Sequence, residues 1–184
     1  MDIINLFSDT LFSVKFDDSG LAEYHRFFNE WKNLDYLTDF FEQYREHINT
    51  PFWLNAGLEP NKPEQSARRV IHEADLLETQ IKTLALNSAN GTRPDLDSYF
   101  QRLGGKYNFL WSFEPHKSYG PLTPSLLRVY AIKIEPNCYL IVHGGIKLGS
   151  TIQNSPVLKD MVFKKIDLTL NYLDAMGIVD SEDI

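Results

Sequence analysis

The sequence predicts an α+β fold in which helices cover one face of an antiparallel sheet, and three observations lead to this prediction. Residues 10–16 alternate apolar and polar side chains, as a half-buried strand does. Residues 107–148 contain three further runs with strand character, and consecutive strands of this kind favour an antiparallel meander. Between and after these strands, large apolar residues recur at the spacing of amphipathic helices.

The first half of the chain is predicted to be mainly helical after its first strand. Residues 17–20, Asp-Asp-Ser-Gly, interrupt that strand and offer capping side chains to a helix predicted over residues 21–48. Residues 49–62 contain two prolines and a glycine and therefore predict a loop. A second long helix is predicted to begin near Asn61, with a proline tolerated in its first turn, and to end at residues 87–91.

The second half is predicted to form the meander and a closing helix. A short helix over residues 94–103 precedes a strand over residues 107–113, whose aromatic side chains alternate and share one face. Residues 115–125 contain three prolines and a glycine and predict a loop before the last hairpin. A Ser-Pro pair at residues 155–156 begins the final helix, which Gly177 ends.

The hairpin within residues 126–148 is the most informative part of the sequence. If residues 135–138 form its turn, Ile134 lies opposite Tyr139, and the two-residue period of a strand determines the other pairs. These pairs are Ile132 with Ile141, Tyr130 with His143, and Arg128 with Gly145. One face of the hairpin is then polar and open to solvent: Arg128, Tyr130, His143 and Lys147. The other face is apolar: Leu127, Val129, Ala131, Leu140, Val142, Ile146 and Leu148.

Charge is distributed unevenly along the chain. The net charge of −7 argues against bulk, non-specific binding of nucleic acid. Residues 1–100 carry 9 Lys and Arg against 17 Asp and Glu, whereas residues 101–165 carry 9 against 3. This asymmetry indicates either a basic functional surface on an acidic body or acidic helices that neutralise a basic sheet.

Cysteine content and hydropathy indicate a cytoplasmic protein. The single cysteine, Cys138, cannot form an intramolecular disulfide, which fits a reducing compartment. The first residues lack the basic and apolar regions of a signal peptide. No run approaches the roughly 20 apolar residues that a membrane-spanning helix needs.

The polar face of the hairpin carries the residue types that metal-independent RNA cleavage requires. Such cleavage needs a base for the 2′-hydroxyl, an acid for the leaving 5′-oxygen, and cations on the phosphate oxygens. Arg128 suits the phosphate because its planar fork can hold two oxygens, and Lys147 adds a point charge. His143 and Tyr130 are the candidates for proton transfer. The candidates for RNA binding and base stacking are Lys117, Lys133, Tyr139 and Trp111.

A structural interpretation of these residues is the alternative. An arginine on a strand is commonly a solvated edge residue or the ion-pair partner of an acidic helix, and a histidine beside two glycines commonly has a structural role. The histidines of the first two helices lack the spacing of metal ligands, so no metal is predicted. Residues 144–145, Gly-Gly, lack the spacing of a phosphate-binding loop, and no cofactor is predicted either.

The segment L-R-V-Y-A-I-K-I-E-P-N-C-Y-L-I-V-H-G-G-I-K-L, followed by a helix that ends in Y-L-D-A-M-G-I-V-D, resembles the toxins of type II toxin–antitoxin modules. It is most similar to the RelE/HigB-like group and its Bacteroidetes-type relatives, over residues 126–180. The resemblance implies a small α+β ribonuclease that cleaves mRNA, often on the ribosome, without a metal. It implies that Arg128 is the phosphate-binding arginine and that Lys147 is the next-best match. His143 stands where these relatives carry threonine, and the chain is longer than a minimal toxin.

These observations lead to one preferred function and one alternative. Residues 1–184 are predicted to form a single α+β domain of RelE-like fold, with a helical lobe over residues 17–105 and the sheet and last helix over residues 106–177. The preferred function is that of the toxin, an endoribonuclease that acts through the 2′-hydroxyl. Its expected partners are mRNA and a cognate antitoxin of helix-turn-helix type. The alternative is a non-catalytic module of the same fold that binds a protein or RNA.

Overall fold

The structure is a computed structural model, and it describes residues 1–16, 20–104 and 113–184. Within these residues the chain forms six strands, seven α-helices and a 3₁₀ helix over Ser181–Asp183. The strands are β1 (Asp2–Phe7), β2 (Leu11–Lys15), β3 (Gln101–Arg102), β4 (Glu114–Tyr119), β5 (Leu127–Glu135) and β6 (Cys138–Ile146). The helices are α1 (Glu23–Trp31), α2 (Leu34–Gln43), α3 (Arg45–Ile48), α4 (Pro51–Asn55), α5 (Pro63–Ala89), α6 (Leu96–Tyr99) and α7 (Leu158–Met176).

The strands form one mixed sheet in the order β1-β2-β6-β5-β4-β3. Neighbouring strands are antiparallel except β2 and β6, which run parallel. The α+β prediction is therefore confirmed, whereas the prediction of an antiparallel sheet holds for every pair except this one. Parallel strands need a long crossover, and the helices α1 to α6 between β2 and the later strands supply it.

Helices cover both faces of the sheet, whereas the sequence predicted that they cover one. On the first face α1 and α5 pack against alternate residues of the central strands, including Val129 and Ile141, and α2 packs on these two helices. On the second face α7 packs against the other set, including Ile132 and Leu140. Strands that are buried on both faces have nearly continuous apolar sequences, and β5 and β6 show this composition.

A β-bulge in the hairpin of β5 and β6 changes part of the predicted register. Two of the predicted pairs form: Tyr130 with His143, and Arg128 with Gly145. Beyond the bulge the pairing shifts by one residue, so Ile132 lies opposite Leu140 instead of Ile141. The predicted four-residue turn becomes a two-residue turn, Pro136-Asn137, in which Asn137 has φ 59°. Asparagine tolerates this left-handed conformation, which tight hairpin turns require.

The same bulge reassigns two side chains from one face to the other. Leu140 and Val142 were predicted to share the apolar face with Leu127 and Val129, but they pack with α7 on the opposite face. The reason is that an extra residue in one strand inverts the alternation of its side chains beyond that point. The remaining residues of the predicted apolar face do lie in the first core: Leu127, Val129, Ala131, Ile146 and Leu148.

The predicted helix over residues 21–48 is divided into three shorter helices. α1 ends at Trp31, and the Oδ1 atom of Asn33 accepts a hydrogen bond from the backbone N–H of Tyr36 at 3.0 Å, which caps α2. The predicted loop over residues 49–62 contains the short helix α4. Its first turn begins with Thr50 as cap and proline as the first residue, a combination typical of helix starts.

Other differences concern the strands. The predicted loop over residues 115–125 contains most of β4, which pairs with β5 along its whole length. The predicted helix over residues 94–103 is shorter, and β3 follows it. The predicted aromatic strand over residues 107–113 lies outside the described residues except for Phe113. The strand β1 was not predicted from the sequence. By contrast, β2 and α5 form as predicted. The last helix, α7, also forms, and Gly177 ends it in the left-handed conformation at φ 69°. Its predicted start at Ser155-Pro156 is wrong, because α7 begins at Leu158 and Ser155 Oγ accepts hydrogen bonds from Leu148 and Gly149 instead of capping the helix.

Gly144 allows α1 to approach β6 closely, which gives a first test of the packing. A Cβ atom at this position would lie 2.5 Å from the ring of Phe27. We expect Gly144→Ala to lower the free energy of unfolding by about 1–3 kcal/mol, because overpacking a core forces neighbours to move. Gly104→Ala is the control, since no described atom lies within 4 Å of its added Cβ. Urea unfolding measures both variants, and equal losses would contradict this packing.

Candidate functional site

Three of the four predicted catalytic residues are buried and Lys147 is half-buried, and the four do not share one cavity. Arg128 is 9% exposed, Tyr130 1% and His143 4%, so the prediction that this face is open to solvent is wrong. The reason is that α7 packs on the face that the sequence left open. His143 lines one cavity, whereas Arg128 and Lys147 line the other. Tyr130 lies in the core beside His143, with 6.5 Å between the ring centroids.

The cavity that contains Arg128 and Lys147 is called the cationic pocket. It has a volume of about 690 Å³ and lies between the region of α3 and α4 and the segment that follows β6. The Nε1 atom of Trp53 donates a hydrogen bond to the carbonyl oxygen of Leu148 at 2.7 Å, which attaches α4 to that segment. The lining residues that bear on function are His47, Trp53, Ser125, Arg128, Lys147 and Asn154.

Arg128 is held rigidly but is not neutralised. Its Nη1 atom donates to the carbonyl oxygens of Ser125 at 3.1 Å and Leu127 at 2.6 Å, and to Ser125 Oγ at 3.1 Å. Its guanidinium carbon lies 4.2 Å from the ring centroid of Tyr119. Burial lowers the pKa of Arg128. Among the described residues no carboxylate forms an ion pair with it, so its charge is available to an anion.

Lys147 lies near two other cations in the same region. Its Nζ atom donates to the carbonyl oxygen of Ser150 at 2.7 Å. Burial lowers the pKa of Lys147, and the positive charges of Arg128 and Lys117 lower it further. A lysine surrounded in this way is stabilised in its charged form by an incoming anion. The three cations therefore create a local positive potential on a protein of negative net charge.

A buried carboxylate lies behind the cationic pocket. Glu73 of α5 is fully buried, and its Oε2 atom accepts the backbone N–H of Leu126 at 3.2 Å. Burial raises the pKa of Glu73, although a hydrogen bond from Ser125 opposes that effect. Gly120 makes room for this carboxylate, because a Cβ there would collide with Oε1. Ser125 thus contacts both Glu73 and Arg128, and it links a titratable acid to the arginine.

His143 belongs instead to a buried ionic network centred on Glu23, which is fully buried. Glu23 Oε2 accepts from Arg26 Nη2 at 2.8 Å and lies 3.2 Å from His143 Nδ1. Glu23 Oε1 accepts from Arg26 Nε at 3.0 Å and from Lys165 Nζ at 2.6 Å. Arg26 also pairs with Glu30, at 2.7 Å to each carboxylate oxygen. The network joins α1, β6 and α7 at one point.

The electrostatics of this network favour an ionised glutamate and a neutral histidine. Burial opposes ionisation of Glu23, but hydrogen bonds from His143, Arg26 and Lys165 outweigh it and hold its pKa far below the usual range. Burial lowers the pKa of His143, and the charges of Lys165 and Arg26 add to that effect. Removing one partner from a buried pair typically costs about 3–5 kcal/mol, because the remaining charge is left unpaired.

The predicted RNA-binding residues differ in their exposure and in their partners. Lys133 pairs with Asp97 at 2.8 Å. Tyr139 is buried, donates its hydroxyl to the same carboxylate at 2.8 Å, and stacks on Phe100 with 4.7 Å between centroids. Tyr139 therefore cannot stack an RNA base, which corrects that prediction. Lys117 is half-buried beside the cationic pocket, and Trp111 lies outside the described residues.

Several residues of these two sites were not identified from the sequence. His47, Glu73 and Ser125 of the cationic pocket region are single polar residues without a motif, and His47 is exposed. Glu23, Arg26 and Lys165 occur on two helices that are far apart in sequence. Their placement is the signal that could have identified them. Each of the three lies beside apolar residues that recur at helical spacing, so each is near the buried edge of its helix.

Three further results concern metal ligands, membrane-spanning helices and similarity to known proteins. Among residues 1–16, 20–104 and 113–184, no three His, Cys, Asp or Glu side chains are grouped as metal ligands would be. In the same described part of the chain, no helix has the length and apolar content to span a membrane. Comparisons of the chain with protein-family models, curated proteins and solved structures find no significant match.

The buried histidine predicts a pH-dependent stability. Because the pKa of His143 is lowered from its ordinary value of 6.5, the unfolded chain binds more protons below that pH, and stability falls on acidification. We expect the free energy of unfolding of the wild type to decrease between about pH 7.5 and 5.5, and His143→Gln to reduce that slope. Below about pH 4.5 protonation of Glu23 adds a second loss, since its folded pKa is also lowered.

Urea unfolding at a series of pH values measures this slope. His72→Gln is the control, because His72 is exposed on α5. His116 is also buried with a lowered pKa, so part of the slope will remain in the His143 variant. An unchanged slope in His143→Gln would show that His143 is not held neutral in the folded protein.

Proposed function

We propose that this protein is a metal-independent endoribonuclease, the toxin component of a type II toxin–antitoxin module with a RelE-like fold. The observation that supports this proposal best is the pair of cations, Arg128 and Lys147, in the cationic pocket without a carboxylate partner among the described residues. Such a pair fits a phosphodiester, whose two non-bridging oxygens carry the charge that develops during cleavage. The proposal also includes a cytoplasmic location, a cognate antitoxin of helix-turn-helix type, and mRNA as substrate.

In the proposed reaction the 2′-oxygen of a ribose attacks the adjacent phosphorus. The bond from phosphorus to the 5′-oxygen breaks, and the products are a 2′,3′-cyclic phosphate and a 5′-hydroxyl. Arg128 holds a non-bridging oxygen, and its fixed position suits that role because Ser125 and Leu127 already orient its guanidinium. Lys147 lies next to it and stabilises the same charge.

The proton transfers are assigned to the cationic pocket and no longer to His143. His143 lines the other cavity, and its Nδ1 atom contacts Glu23. His47 lines the cationic pocket and is the proposed base for the 2′-hydroxyl. Lys147 has a lowered pKa, so its ammonium group is a stronger acid than an ordinary lysine, and it is the proposed donor to the 5′-oxygen.

A second candidate function is non-catalytic binding of RNA or protein by the same surface. The burial of Tyr130 and the separation of His143 from the pocket favour it, because they remove two of the proton-transferring groups that cleavage would use. In this alternative Arg128, Lys147 and Lys117 bind phosphate groups, and no bond is broken. The two candidates share a ligand and differ in chemistry, so one experiment can separate them.

The proposed reaction predicts the behaviour of Arg128→Ala and Lys147→Met. We expect either change to lower the rate of RNA cleavage by about 10²–10³-fold, because each removes charge stabilisation from the transition state. The measurement incubates purified protein with total RNA, with and without ribosomes, and detects 2′,3′-cyclic phosphate ends. Arg68→Ala is the matched control, since Arg68 lies on the exposed surface of α5 and pairs with Glu64.

Binding and cleavage are measured on the same preparations. Lys147→Met is informative even if Arg128→Ala unfolds, because Lys147 is only half-buried. Tight binding of single-stranded RNA that depends on Lys147, without cleavage by the wild type, would favour the non-catalytic module. A folded wild type that neither cleaves nor binds RNA, with or without ribosomes, would contradict the ribonuclease and the RNA-binding module and would leave only a protein as the ligand of the second candidate.

A further inference from the structure

A second cavity lies between α1, α2 and α7 and is separate from the proposed RNA site. It has a volume of about 660 Å³, within the range of pockets that hold small molecules. Its walls are mainly apolar and include four aromatic rings, those of Phe16, Trp31, Tyr36 and Phe40. Val157, Met161 and Leu168 from the region of α7 form the opposite wall. We call it the α1–α7 cavity.

The floor of this cavity contains His143 and the two glycines that follow it. A Cβ at Gly145 would collide with Cδ2 of Leu158 and would lie 3.7 Å from Nε2 of His143, so Leu158 covers this glycine and Nε2 lies beside it. Nε2 is buried and has no hydrogen-bond partner among the described residues. An unpaired buried polar atom is unfavourable, and a bound molecule can supply the missing partner.

The partner of Nδ1 determines what Nε2 can accept. Glu23 is held in its ionised form, so its oxygens only accept hydrogen bonds, and the contact of 3.2 Å to Nδ1 requires a proton on Nδ1. Arg26 Nη2 lies farther from Nδ1, at 3.3 Å, and donates to Glu23 at 2.8 Å. In neutral His143 the proton is therefore on Nδ1, and Nε2 presents a lone pair.

Both carboxylates that line the cavity already have cationic partners. Glu23 and Glu30 carry two negative charges, and Arg26 and Lys165 carry two positive charges in contact with them. A further cation, Lys164, also lines the cavity but is exposed to solvent, which screens its charge. A charged ligand would compete with these contacts, whereas a neutral one leaves them intact. The aromatic walls favour a flat ring, and the lone pair of His143 favours one hydrogen-bond donor on that ring.

We propose that the α1–α7 cavity binds a neutral aromatic molecule of about the size of indole, whose single N–H or O–H group donates to Nε2 of His143. This site does not depend on RNA cleavage, because it shares no lining residue with the cationic pocket. His143 is a binding residue in this proposal, and Glu23 positions it by holding its Nδ1 proton.

Indole and benzothiophene are the probes, because they have nearly the same shape and only indole carries an N–H donor. Calorimetry with the purified full chain should show that indole binds about fivefold to tenfold more tightly, which corresponds to one net hydrogen bond. Nitrogen NMR of His143 should show an unprotonated Nε2 without ligand and a shift of its resonance when indole binds. Benzothiophene should leave that resonance nearly unchanged.

Met161→Trp should fill the cavity and abolish binding of both probes, because Met161 is part of its wall. Met176→Trp is the matched control on the same helix, since this residue is 62% exposed and is not part of the wall. Three results would overturn the proposal: no binding of either probe to the wild type, equal affinity for both probes, or a protonated Nε2 in the neutral ring. The comparison of the two probes uses the wild type, so it tests the proposal even if a variant fails to fold.

Discussion

The buried carboxylate of Glu23 is the interaction on which much of the remaining structure depends. It is fully buried, and its two oxygens contact Arg26 on its own helix, His143 on β6 and Lys165 on α7. A buried charge is tolerated only when such partners surround it. The three elements that supply these partners come from both layers of helices and from the sheet between them, so this ionic network determines how the layers meet. It also determines which nitrogen of His143 carries the proton.

The network and the β-bulge together explain why residues predicted to act at one site are found at two. The bulge leaves the pairs at Tyr130 and Arg128 in the predicted register, so their side chains do share a face with His143. Glu23 then draws His143 toward α1 and α7, while Arg128 is oriented toward the opposite end by Ser125 and Leu127. Proximity along a sheet face therefore did not mean a common cavity, because helices and loops divide that face.

The two cavities differ in the way their charges are compensated, and this difference suggests their chemistry. In the cationic pocket the positive charges of Arg128 and Lys147 repel each other, and the buried acid Glu73 attracts Arg128 without forming an ion pair with it. A bound anion would compensate this repulsion between the two cations. In the α1–α7 cavity both carboxylates pair with Arg26 or Lys165, and the buried side-chain atom left without a hydrogen bond among the described residues is Nε2 of His143. One cavity thus suits a phosphate group, whereas the other suits an uncharged molecule.

The sequence by itself determined the local elements whose signals are short-range. Apolar periodicity located β2, α5 and α7, and a glycine located the end of α7, because these features depend on neighbouring residues only. The pairs of Tyr130 with His143 and Arg128 with Gly145 followed from the alternation within one hairpin. Tertiary structure decided the rest: the parallel pairing of β2 with β6, the covering of both faces, the partners of Glu23 and Glu73, and the place of His47 in the cationic pocket. These depend on contacts between residues far apart in sequence, and periodicity shows which side of an element is apolar without showing which element covers it.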